Sequence, residues 1–104
     1  PFGESNPPPL FLVPRIPVLE YRTVGAESRH LKLTLGGLDS QVDAIAFGRG
    51  DFAMQILSNH IRTVDIVGEI TIDAWNGRER LQMVVHDIAS AGSAVLEGDS
   101  DTDQ

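Results

Sequence analysis

Thr63-Val64-Asp65-Ile66-Val67-Gly68-Glu69-Ile70-Thr71-Ile72-Asp73-Ala74-Trp75-Asn76-Gly77-Arg78-Glu79-Arg80-Leu81-Gln82-Met83-Val84-Val85-His86-Asp87-Ile88 is the stretch that decides the fold of this 104-residue chain. Val64, Ile66, Ile70 and Ile72 keep one phase, which predicts a long strand over residues 63–75. Leu81, Met83 and Val85 do the same over a return strand at residues 78–88. Asn76-Gly77 between them is the strongest hairpin signal in the chain, since both central positions of a type I′ turn need φ > 0. Gly68 inside the first run predicts a bulge or a bend where a small sheet curls.

Upstream, residues 18–24 are β-branched and aromatic-rich and stop at Gly25, ahead of a polar loop at 26–29. Residues 30–35 alternate, with Leu31, Leu33 and Leu35 on one face and His30, Lys32 and Thr34 on the other. A glycine-rich loop at 36–40 leads to a third strand at 41–48, broken by Gly48-Arg49-Gly50. Asp51 then reads as an N-cap, Phe52, Ala53, Ile56 and Leu57 share a helical face, and Asn59 reads as a left-handed stop. The order β-β-β-α-β-β predicts an all-β class: a five-stranded OB-fold barrel with one short helix between strands 3 and 4. An SH3-like barrel is the nearest alternative, but it usually lacks an amphipathic helix at that position.

The ends differ from the body. All six prolines fall within residues 1–17, which predicts a stiff, proline-rich connector, with the OB-fold domain at 18–90. Residues 91–104 read as an acidic, disordered tail, because residues 97–104 hold four carboxylates and no apolar side chain. The formal charge is −7, and removing those four leaves −3 on residues 1–96. The chain starts at Pro1 without an initiator Met, as expected of an excised domain or a processed product.

Composition excludes several classes. With no cysteine there is no zinc ribbon, thiolate nucleophile or redox centre, and an intracellular, cytoplasmic setting is expected. No apolar run exceeds four residues, so neither a membrane-spanning helix nor a signal-peptide core is expected, and no membrane partner. His30, His60 and His86 sit in three different elements at no ligand spacing, so no metal site is expected. Ser28 and Ser58 lack a glycine elbow, and no phosphate cradle precedes the helix. No catalytic residue is expected in this chain.

A binding constellation fits better. OB-folds bind oligonucleotides across strands 2 and 3, between the first-to-second and fourth-to-fifth strand loops. Arg22 and Arg29 flank the first of those loops, Lys32 lies on strand 2, and Arg49 follows strand 3. Trp75, Arg78 and Arg80 surround the Asn-Gly turn. An aromatic ring beside guanidinium groups can stack bases while the cations hold phosphates. Trp75 stays open between a stacking platform and a hairpin cap. Tyr21 and Phe47 read more readily as core than as platform, and Glu79 half-cancels Arg78 and Arg80. A net negative charge runs against a free-standing, non-specific nucleic-acid binder, which usually carries a basic footprint.

Four collinear strings add a family resemblance. Residues 1–11, PFGESNPPPLF, resemble the PFGxGNPEPxF segment that leads into the OB domain of RecJ-type single-strand-specific exonucleases. HLKLTL at 30–35 is similar to that family's HLKLxL strand, and DAIAFG at 43–48 to its DAIAFG strand. Trp75-Asn76-Gly77 with Leu81-Gln82-Met83 and Asp87-Ile88 is similar to its closing NxWxGxxxLQLxVxDI hairpin. Ser5 replaces the second glycine of the lead-in and Pro8 its usual acidic residue, so both departures fall in the connector.

The resemblance implies a C-terminal module of a 5′→3′ exonuclease of DNA repair and recombination. Its chemistry would lie in an upstream DHH-type phosphoesterase core using Mn or Mg, with no cofactor in this domain. Lys32, Arg78 and Arg80 are the cations on matching strings; Arg22, Arg29, Arg49 and Trp75 rest on OB geometry. The implied partners are single-stranded DNA and the nuclease core, with recombination or single-strand-binding proteins beyond them. Two further readings stand beside this one: a module that packs on the core or a partner without touching DNA, and a free-standing binder of a sugar or protein.

Overall fold

The computed structural model describes residues 8–37 and 41–91, apart from the side chains of residues 73 and 75. The lead-in up to residue 7, the loop tip at 38–40 and nearly all of the tail expected to be disordered lie outside the described residues. Five strands, β1 (Phe11–Val24), β2 (His30–Gly36), β3 (Gln41–Ala46), β4 (Thr63–Trp75) and β5 (Arg78–Ser90), close into a barrel in the order β1-β2-β3-β5-β4. One helix, α1 (Phe52–Asn59), lies between β3 and β4. All neighbours are antiparallel except β3 and β5, which run parallel and close the barrel. This is the OB arrangement that the order of elements predicts.

The period-2 pattern of β2 explains why the barrel has an inside. Leu31, Leu33 and Leu35 are fully or almost fully buried, and Ala44 and Ala46 of β3 meet them across the ladder. Val64 and Ile66 of β4 and Met83, Val85 and Ile88 of β5 complete the interior. Phe52 and Ile56 of α1 are buried with them, so the helix contributes to the same core through one stripe. Small Ala on β3 opposite large Leu on β2 is the alternation that a narrow barrel needs to fill its interior.

Two close approaches fix the chain path. At Gly68 the β4–β5 register shifts, and a Cβ there would lie 2.5 Å from the Val84 carbonyl oxygen, so the bulge needs glycine for space. At Gly50, also buried, a Cβ would lie 2.0 Å from the Ser28 carbonyl oxygen. Here the loop after β3 presses on the turn after β1, and the Gly50 N–H donates to the Arg29 carbonyl at 2.9 Å.

Three local expectations are corrected. The first strand begins at Phe11 rather than Val18, because residues 11–17 pair with β4. Prolines are tolerated there by a bulge between Val13 and Ile16, in which Arg15 takes a positive φ of 54°. The Arg15 N–H donates to the buried carboxylate of Asp65 at 2.9 Å, which holds that bulge. Asp51 does not cap α1; no side-chain cap bond forms, and its carboxylate lies 4.0 Å from Arg49 instead. The left-handed stop falls on His60 (φ 54°), one residue beyond Asn59, where the Ile61 N–H donates to the Ile56 carbonyl. By contrast, Asn76 (φ 52°) and Gly77 (φ 76°) form the tight turn that the sequence predicts.

Candidate nucleic-acid interface

Residues that alternate with the core on β1, β2, β3 and β5 form the outer face of the barrel. The registers set them in rows: Arg22 beside Lys32 beside Ile45 beside Val84, and Glu20 beside Thr34 beside Asp43 beside Gln82. A groove of about 310 Å³ lies over these rows, lined by Glu20, Tyr21, Arg22, Lys32, Leu33, Thr34, Asp43 and Arg80. A second hollow of about 410 Å³ over Gln41, Asp43, Glu79, Arg80 and Leu81 continues it toward the β4–β5 hairpin.

Arg22 and Lys32 are direct cross-strand partners. Such a pair holds its Cβ atoms about 4.5–5.5 Å apart, and like charges there destabilise a sheet unless something bridges them. Neither makes a salt bridge among the described residues. Arg80 reaches into the groove from β5 and pairs with Asp43 of β3 at 2.5 Å, across the parallel seam. Two cations are thus available for an anion, and a third is held in reserve by a carboxylate.

The other sequence candidates lie elsewhere. Arg49 is committed: it lies 3.7 Å from Asp87 and 4.0 Å from Asp51, with its guanidinium 5.6 Å above the Phe52 ring. Arg29 is exposed beside the turn after β1, where its carbonyl receives Gly50. Arg78 is exposed at the hairpin tip opposite Trp75, whose side chain lies outside the described residues. Sequence reasoning missed Glu20, Thr34 and Asp43 as groove residues, although the alternation of β2 and β3 points Thr34 and Asp43 outward and Glu20 of β1 pairs with Thr34. It also read Phe47 more readily as core than as platform, whereas the residue is 62% exposed. Tyr21 is half-buried against the core and lines the groove as well.

His86 and Glu69 meet at 2.7 Å across the β4–β5 hairpin, but among the described residues no three metal-binding side chains converge. The donor set does not fit a resident Mn or Mg ion.

Barrel order, helix position and an outer-face groove with cations together define an OB-fold domain. The RecJ OB domain model matches residues 1–87, and the chain belongs to that family. It is 35% identical over 89 residues to the single-stranded-DNA-specific exonuclease RecJ of Bacillus subtilis, covering 86% of this chain and 11% of that protein. It is 39% identical over 77 residues to RecJ of Thermus thermophilus, covering 74% of this chain and 10% of that one. The chain therefore spans about a tenth of the length of these relatives. The crystal structure of T. thermophilus RecJ with Mn2+ superposes with a TM-score of 0.57 at 32% identity, over 86% of this chain and 12% of that chain. A small single-stranded DNA binding protein from Mycoplasma pneumoniae shares the fold, with a TM-score of 0.50 at 9% identity over 77% of this chain and 90% of that one.

Proposed function

We propose that this domain is the single-stranded-DNA-binding module of a RecJ-type single-strand-specific exonuclease. It is non-catalytic by itself, and it serves DNA repair and recombination through the parent enzyme. The strand lies along the outer face, with phosphates on Arg22 and Lys32 and a further one recruited to Arg80. The observation that carries this reading is the cross-strand Arg22–Lys32 row that lines a groove and makes no ion pair among the described residues. A phosphate between the two relieves their repulsion and gains two charge-assisted contacts. Family membership supports it, because the relatives named above are single-strand-specific exonucleases. Phosphodiester hydrolysis, with its Mn or Mg, belongs to a core outside this chain.

A titration of labelled oligo-dT with the 104-residue chain, read by anisotropy at several salt concentrations, tests the reading. With about three phosphate contacts, log affinity should fall against log salt with a slope of about −2, at roughly 0.7 per contact. Replacing Arg22 and Lys32 together by Gln should reduce that slope by about 1.4. A folded chain that shows no binding at millimolar oligonucleotide would refute direct contact.

A second reading has its own observation. Ile72 and Leu81 are cross-strand partners, 64% and 45% exposed, and Ile70 pairs with buried Met83. These side chains continue the core-facing side of the hairpin past the barrel rim, a surface suited to packing on the nuclease core. Ile72→Ser should weaken docking in the full-length enzyme while leaving oligo-dT affinity of this domain unchanged.

A further inference from the structure

We infer that Phe47 is a stacking platform for one nucleobase, set one row along the outer face from the Arg22–Lys32 pair. The inference rests on the strand-binding reading above and assigns a base contact that the cations alone do not supply.

The placement follows from register. Leu31 pairs with Ala46, so the next outward pair toward the β1–β2 turn is His30 and Phe47. Lys32 lies two residues along the same strand and on the same face as His30. That separation is about 6.6–6.8 Å, which one nucleotide of an extended strand can bridge.

Exposed apolar side chains are common and most need no explanation. Phe47 differs in being held. The Arg49 N–H donates to the Ala46 carbonyl at 3.3 Å, closing a turn with Phe47 at its second position and Gly48 at its third. Gly48 has φ 75°, as the third position of a type II turn requires. The Gly48 N–H then donates to His30 Nδ1 at 2.9 Å, tying the turn to β2. The His30 and Phe47 rings meet edge to face, with centroids 5.3 Å apart and planes at 76°. Accepting at Nδ1 fixes His30 as the tautomer with its proton on Nε2. A residue that is 62% exposed is thus held through its backbone and by one ring contact. A flat, preorganised face beside phosphate-binding cations is what base stacking requires.

The test compares Phe47→Ala, Phe47→Leu and Phe47→Trp in the 104-residue chain against labelled oligo-dT. Both Ala and Leu should weaken binding about 5- to 150-fold, the range of one lost stack, without changing the salt slope. Trp should restore affinity, and in a Trp75→Phe background its fluorescence should be quenched by the oligonucleotide. Leu keeps the bulk without the π face, so its loss separates stacking from any effect on folding. An oligonucleotide of abasic residues should bind the wild type and Phe47→Ala equally. Wild-type affinity in Phe47→Ala and Phe47→Leu, with the Arg22/Lys32 double variant weakened, would overturn the platform and leave the groove intact. A wild-type chain that binds no oligonucleotide would remove both.

Discussion

Replacing Gly50 by Ala attacks the point where the loop after β3 lies on the turn after β1. The new Cβ would sit 2.0 Å from the Ser28 carbonyl oxygen and 2.9 Å from the Arg29 carbonyl carbon and oxygen. All three are backbone atoms, so no side chain can swing aside to admit it. The loop must lift, and the hydrogen bond from the Gly50 N–H to Arg29 is lost with it. Overpacking of this kind costs about 1–3 kcal/mol, and the hydrogen bond contributes roughly 0.5–1.5 kcal/mol. The sum is about 1.5–4.5 kcal/mol, or a fall in melting temperature of roughly 6–36 °C for a domain of this size. Gly48→Ala is the internal control. Its Cβ meets nothing within 4 Å, so only the positive φ of 75° opposes it, and its cost should be about 1 kcal/mol. Thermal melts followed by circular dichroism, with urea titrations to confirm an unchanged m-value, measure both. A Gly50→Ala variant melting within about 2 °C of the wild type, or above Gly48→Ala, would refute the packing argument.

Asp43→Asn should tighten oligo-dT binding several-fold at low salt while the salt slope stays at about −2, since Arg80 is already the third phosphate contact. It removes the carboxylate that occupies Arg80 and frees that guanidinium for a phosphate. Asp65→Ala should destabilise the domain by about 1–3 kcal/mol in urea denaturation, since it orphans the Arg15 N–H that shapes the β1 bulge. A double-mutant cycle on His86 and Glu69 should give a coupling of only about 0.2–1 kcal/mol, because the pair is partly exposed despite its 2.7 Å contact.

Local chemistry made most of the barrel legible. The turn at Asn76-Gly77 and the bulge at Gly68 are written in residue types that few other conformations favour. The start of β1 was not legible, because Pro14 and Pro17 read as breakers of any strand. Long-range pairing of Val13 and Ile16 with β4 overrides that local preference. Asp51 has the right chemistry for a cap, but Arg49 lies close enough to engage its carboxylate. The groove was half legible. Its cations could be named from loops and strands, yet the pairing of Arg80 with Asp43 exists only once β5 lies beside β3. Phe47 follows the outward phase of Asp43 and Ile45, and its apolar character masked that phase.

Barrel closure joins parts of the chain that are far apart in sequence: Asp43 meets Gln82, Ala44 meets Met83 and Ile45 meets Val84. Parallel pairing is slightly weaker per residue than antiparallel pairing, and here it forms the shortest ladder among the described residues. The β4–β5 hairpin can zip from its own tight turn at little loop-closure cost, whereas the seam must close a longer loop that holds α1 and β4. Arg80 stands on one side of that seam, and Arg22, Lys32 and Asp43 on the other. A folding intermediate with the hairpin formed and the seam open would carry every cation of the groove but no groove. The proposed binding surface is complete only when the seam is closed, so affinity for a strand would double as a gauge of completed assembly.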